Sequence, residues 1–144
     1  MTKKVTLLFA ILAYGFVLHS QSSIFVEITN DTQDYDYTCT CETYQDVSPI
    51  GGSLTISVPA STSGSNTVTE LIEFEQADIC LNKITCQSGE DAPGTINAKC
   101  GDGWPMTVDI GPQIPPSSWY QFIYVDFVPA SNDPIESHSF LIEE

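Results

Sequence analysis

The chain has 144 residues, with nineteen Asp and Glu against four Lys and no Arg, giving a formal net charge of −15. A field of that sign repels nucleic acid, anionic lipid and phosphate ligands, and the guanidinium fork that usually clamps phosphate is missing. Basic or neutral partners remain.

The N-terminus reads Met1-Thr2-Lys3-Lys4, then an uncharged apolar run from Val5 to Leu18, then the small polar stretch His19-Ser20-Gln21-Ser22-Ser23. This is the plan of a secretory signal peptide, and the apolar run is short for a membrane span. Residues 1–20 are expected to be removed, with cleavage after Ser20 or Ser22, leaving 21–144 as a single domain. Cleavage takes Lys3 and Lys4, so only Lys83 and Lys99 oppose the carboxylates and the net charge becomes about −17.

Ile24, Val26 and Ile28 alternate with Phe25, Glu27 and Thr29, which predicts a first strand, closed by the turn-rich Asn30-Asp31-Thr32-Gln33-Asp34. Tyr35 to Thr43 predicts a second, with Tyr35, Tyr37, Cys39 and Cys41 on its dry face. The short link between them predicts an antiparallel hairpin. Pro49 and Gly51-Gly52 are expected to break the chain before the strand around Leu54, Ile56 and Val58, which Pro59 stops. Thr67 to Glu75 and Ile79 to Cys86 follow as strands.

Ile96, Ala98 and Cys100 form one apolar face; Met106, Val108 and Ile110 form another. A five-residue loop, Gly101-Asp102-Gly103-Trp104-Pro105, would pair these strands with their faces in agreement and set Trp104 at a loop tip. The run Trp119 to Val128 is apolar on both faces, which predicts a central strand covered on each side, with Trp119 and Phe127 in the core. Phe140-Leu141-Ile142 adds a last strand. The expected fold is therefore all-β: an antiparallel β-sandwich or small barrel of about eight to nine short strands, stapled by disulfides.

All five cysteines, Cys39, Cys41, Cys80, Cys86 and Cys100, lie in the exported part. An oxidising compartment makes disulfides the expectation, and an odd count leaves one over. Cys86 and Cys100 flank the loop around Gly89 to Gly94 symmetrically and are expected to pair, with Cys80 bonded to Cys39 or Cys41. One of Cys39 and Cys41 then stays unpaired or links two chains in a dimer. A rival scheme sends both Cys39 and Cys41 to Cys80, Cys86 or Cys100. The run Cys86 to Cys100, with Ile96-Asn97-Ala98-Lys99-Cys100 and a later Asp109-Ile110, resembles one half-repeat of the cyanovirin-type lectins, but the tandem second half is absent and no family is assigned on it.

Three kinds of site are candidates. Asp31, Asp34 and Asp36 gather carboxylate oxygens that a calcium ion could use, although the spacing is not that of an EF-hand. Asn30-Asp31-Thr32 is the one N-x-S/T sequon, so Asn30 is a candidate glycosylation site. Trp104, with Asp102 beside it, is the candidate binding residue, because tryptophan at a loop tip suits an interaction hot spot. Nucleophilic catalysis would depend on His138 alone, which reads as an exposed lone histidine.

The expected function is that of a small, secreted, acidic, non-enzymatic protein. It would bind an extracellular or host protein as an effector, a toxin-like factor or an interaction module, with no cofactor. A carbohydrate-binding, lectin-like module is the first alternative and needs exposed aromatic side chains beside Asn and Asp. A carboxylate-dependent hydrolase is the second and needs two facing carboxylates.

Overall fold

The computed structural model describes residues 22–45, 48–98, 106–130 and 135–144. These form nine strands: β1 (Ser22–Asn30), β2 (Tyr37–Gln45), β3 (Ser48–Val58), β4 (Asn66–Phe74), β5 (Ile79–Gln87), β6 (Gly94–Asn97), β7 (Thr107–Ile114), β8 (Ser118–Val128) and β9 (Ile135–Glu143). They make two sheets, one of five strands in the order β4-β1-β9-β8-β7 and one of four in the order β3-β2-β5-β6. Every ladder is antiparallel except β1 with β9. The inner faces supply one core, including Ile24, Val26, Ile28, Tyr37, Ile56, Val58, Ile84, Ile96, Phe122, Tyr124, Phe140 and Ile142. Burying those side chains is the main force that holds the two layers together.

Alternation located the strands, but two hairpins inferred from it are replaced by crossings between sheets. β1 does not pair with β2; it lies between β4 and β9, while β2 lies between β3 and β5. Period-2 patterning says which face is dry and nothing about which strand is adjacent, and the 31–36 link is long enough to bridge the roughly 10 Å between layers. Likewise β6 pairs with β5, and β7 with β8 in the other sheet, so the expected β6–β7 hairpin does not form. Pro49 and Gly51-Gly52 do not end a strand either. β3 runs through them with a register jump, on an edge where a proline is tolerated.

Register shifts decide which residues face inward. Between β8 and β9 the pairing slips by one residue at Val125. Tyr120, Phe122 and Tyr124 point into the core, and beyond the bulge the inward position passes to Phe127, opposite His138. The expectation of a strand covered on both faces is not met, because the described strands form two layers and β8 has a partner sheet on one side alone. Trp119 is half-buried on the other face, and Val125 and Val128 are exposed. A second bulge, at Asn82, flips β5 in the same way, so Ile79 and Leu81 share a face with Ile84 and Cys86.

A third irregularity sets Gly111 and Pro112 outside the β7–β8 ladder. Gly111 instead donates its N–H to Ala92 O at 2.7 Å and accepts from the Tyr37 hydroxyl at 2.8 Å, tying the two sheets together. A Cβ at Gly111 would lie 2.6 Å from Ala92 N, so only glycine fits this approach.

The disulfide pattern also differs from the expected one. Cys86 is bonded to Cys39, directly opposite on β2, and not to Cys100. The β5–β6 hairpin is tighter than the symmetric reading assumed, and Cys86 faces Gly94 across it. Cys80 is disulfide-bonded but not to Cys39 or Cys41; Cys41 carries a free, buried thiol. Cys100 lies outside the described residues.

Candidate functional site

Among the described residues, those singled out from the sequence are not brought together into one site. Trp104 and Asp102 lie outside the described residues. Asp31, Asp34 and Asp36 are exposed and do not converge: among the described residues no group of three or more His, Cys, Asp or Glu side chains is placed to hold a metal ion. Asp36 instead accepts the backbone N–H of Ala60 at 2.8 Å.

Asn30, the candidate glycosylation site, which would have to be exposed to be modified, is fully buried. Its amide nitrogen donates to Tyr35 O at 2.8 Å and Val58 O at 3.0 Å, and its oxygen accepts from Thr32 N and Thr32 Oγ1. The sequon is therefore the corner that carries the chain from one sheet to the other, and a glycan on Nδ2 would replace one of its two hydrogens, break at least one of these donor bonds and need room that the buried site does not offer.

His138, expected to be exposed, is fully buried on the inner face of β9. Its Nδ1 meets the Tyr124 hydroxyl and its Nε2 meets Glu136 Oε1. Glu136 Oε1 also accepts the backbone N–H of Leu81 at 3.2 Å, beside the Asn82 bulge on the opposite sheet. In the tautomer that carries its hydrogen on Nε2, Nε2–H donates to Glu136 and Nδ1 accepts from the Tyr124 hydroxyl. Ionising the Tyr124 phenol is disfavoured by burial first, then by the charges of Glu136 and Asp126. The network lies in the sandwich core and clasps the sheets together. A shallow hollow beside Gln113, Ile114, Pro115, Pro116 and Ser117 contains no titratable side chain.

The outer faces of the two sheets differ sharply. On the four-stranded sheet, the registers align Thr55, Thr40, Thr85 and Thr95 in one row across β3, β2, β5 and β6. The flanking rows are Ser57, Thr38 and Gln87 on one side, and Ser53, Glu42, Lys83 and Asn97 on the other. Lys83 Nζ lies 3.2 Å from Glu42, so its charge is locally matched. This is a hydroxyl-rich, wetted surface with no aromatic side chain among these rows.

The outer face of the five-stranded sheet carries all four large hydrophobic side chains that are exposed among the described residues: Leu71 at 50%, Val128 at 52%, Val125 at 47% and Ile135 at 38%. The registers align Leu71, Phe25, Ser137 and Val128 across β4, β1, β9 and β8, a row about 14 Å wide at normal strand spacing. The next row along the strands is Thr69, Glu27, Ser139 and Asp126, and the one after it is Thr67, Thr29, Leu141, Ile123 and Thr107. Beyond that come Glu143, Gln121 and Asp109, where Gln121 Nε2 donates to Asp109 at 3.0 Å. Apolar and acidic rows alternate, and none of the five strands contains Lys or Arg.

Sequence reasoning missed this face because β8 was read as covered on both sides. The signal was present in Phe25 and Leu71, at odd positions where polar residues are expected, but their adjacency depends on which strands pair. Comparison of the chain with protein-family models, with curated proteins and with solved structures finds no match in any of the three.

Proposed function

We propose that this chain is a small, secreted, acidic protein that acts by binding another protein without catalysis, through the outer face of its five-stranded sheet. The observation that carries this reading is the gathering of the exposed large hydrophobic side chains on one sheet face while the opposite face is hydroxyl-rich. Contiguous exposed apolar surface with a polar surround is characteristic of interaction sites. Export is supported by the Lys3-Lys4 and apolar N-terminal sequence and by the Cys39–Cys86 disulfide. Among the described residues no helix is long and apolar enough to cross a membrane.

Pull-down from extracellular or host material with the wild type, a Leu71→Asp/Val128→Asp variant and a Thr40→Asp/Thr85→Asp variant tests the reading. Partners retained by the second variant and lost by the first are expected. Equal loss from both, or a glycan array with hits on glycans and no protein captured, would replace it with the lectin-like alternative or with another face.

A further inference from the structure

We infer that the partner presents an extended segment whose contacting side chains alternate apolar and basic, laid along the strands of the five-stranded sheet. The inference rests on the binding-face reading and adds the chemistry of the occupant.

Three observations carry it. First, the face is organised in rows. The Leu71-Phe25-Val128 row is followed by the Glu27-Asp126 row and then by the Leu141-Ile123 row, each two residues further along β4, β1 and β9, while on β8 the Val125 bulge makes the second step three residues. Successive rows are thus about 6.8 Å apart, which is the spacing of same-face side chains in an extended chain. An extended segment can therefore set an apolar side chain on each apolar row and a Lys or Arg on the acidic row between them.

Second, among the described residues the acidic row has no counter-charge. Glu27 lies between Thr69 and Ser139, with Asp126 beyond Ser139, about 10 Å from Glu27 at normal strand spacing. No cation belongs to any strand of this sheet, and Lys83 pairs with Glu42 on the other face. A basic side chain would find two unneutralised carboxylates flanked by apolar surface that excludes water, where charge attraction is less screened than in open solvent.

Third, the same charge argues against a second copy of this chain. Two such faces brought together would oppose like charges, a costly juxtaposition that complementary interfaces avoid. Nucleic acid and anionic lipid are excluded for the same reason.

The test uses the full secreted chain, immobilised, and three synthetic peptides: a repeat of Leu-Ser-Lys-Ser, the same repeat with Glu for Lys, and the same repeat with Ser for Leu. The Leu/Lys peptide is expected to bind best, and to weaken as salt is raised. A Glu27→Lys/Asp126→Lys variant, with an unchanged melting curve, is expected to weaken it at least about tenfold. Equal binding of the Leu/Glu peptide, or no effect of the charge reversal, would overturn the cationic partner. In that event, loss of binding in Leu71→Asp/Val128→Asp would still uphold the apolar face, whereas its retention would overturn the binding-face reading too.

Discussion

Cys39 and Cys86 face each other directly across the β2–β5 ladder and are joined by a disulfide, with their Cα atoms 4.0 Å apart; Cys41, two residues along the same face, is opposite Ile84 and carries a free thiol. Burial pushes the Cys41 thiol up to about 12, so at neutral pH it is a protonated core group. A thiol-specific reagent should therefore leave Cys41 unmodified in the native protein and label it after denaturation. Non-reducing gels should show no dimer linked through it. Rapid native labelling of Cys41 would refute this.

Removing the Cys39–Cys86 bridge frees a segment spanning 47 residues of sequence separation. In the chain-entropy description this costs about 4 kcal/mol, added to any packing loss in the core. A Cys39→Ala/Cys86→Ala variant should show a matching fall in urea-unfolding free energy, and a loss below about 1 kcal/mol would contradict the assignment.

Asn30 should be intolerant even of a near-isosteric change. In Asn30→Asp the group that donates to Tyr35 O and Val58 O becomes a carboxylate with no hydrogen to give, buried beside two carbonyls. The expected loss is about 3 kcal/mol or more in chemical denaturation. Intact mass from a glycosylating host should show no glycan on Asn30 in the folded, secreted fraction.

Glu136 anchors two donors at once. Glu136→Ala strips the acceptor from Leu81 N–H and from His138 Nε2, both buried, and should cost roughly 3–5 kcal/mol. Glu136→Gln keeps an acceptor oxygen and should cost less. Equal stability of the Ala variant and the wild type would mean that this clasp does not hold the sheets.

Alkaline pH should unfold the protein. The Tyr37 phenol is held well above its ordinary value of 10.0, by burial first and then by Tyr120, Asp91 and Tyr35; Tyr124 is raised likewise, again chiefly by burial. The unfolded chain releases these protons near pH 10 while the folded chain keeps them, so their contribution is complete below that pH and is lost as pH rises above it. Phenolate absorbance should show these two tyrosines titrating only together with unfolding. Their ionisation in a still-folded protein would refute the burial argument.

His138 shows why the interior was less legible than the strands. Nothing in Ile135-Glu136-Ser137-His138 distinguishes an outward from an inward His, because Glu136 and His138 are polar residues at core positions that satisfy each other. Their burial is bearable only because Tyr124 and the Leu81 N–H, supplied by β8 and by the other sheet, complete the network. A polar residue's partners are set by the fold, and patterning alone assigns such residues to the surface.

The sequence alone determined the all-β class, a count of about eight to nine strands and the acidic character, because alternation and turn residues act over a few neighbours and charge needs only counting. Tertiary structure decided which strands are adjacent, that Cys39 and not Cys100 meets Cys86, that Asn30 and His138 are buried, and that Leu71, Phe25 and Val128 share a row. Those outcomes depend on crossings between sheets and on the one-residue slips at Val125 and Asn82. Each slip reverses the facing of the strand beyond it, a change set by packing against partners distant in sequence, which local patterning does not encode.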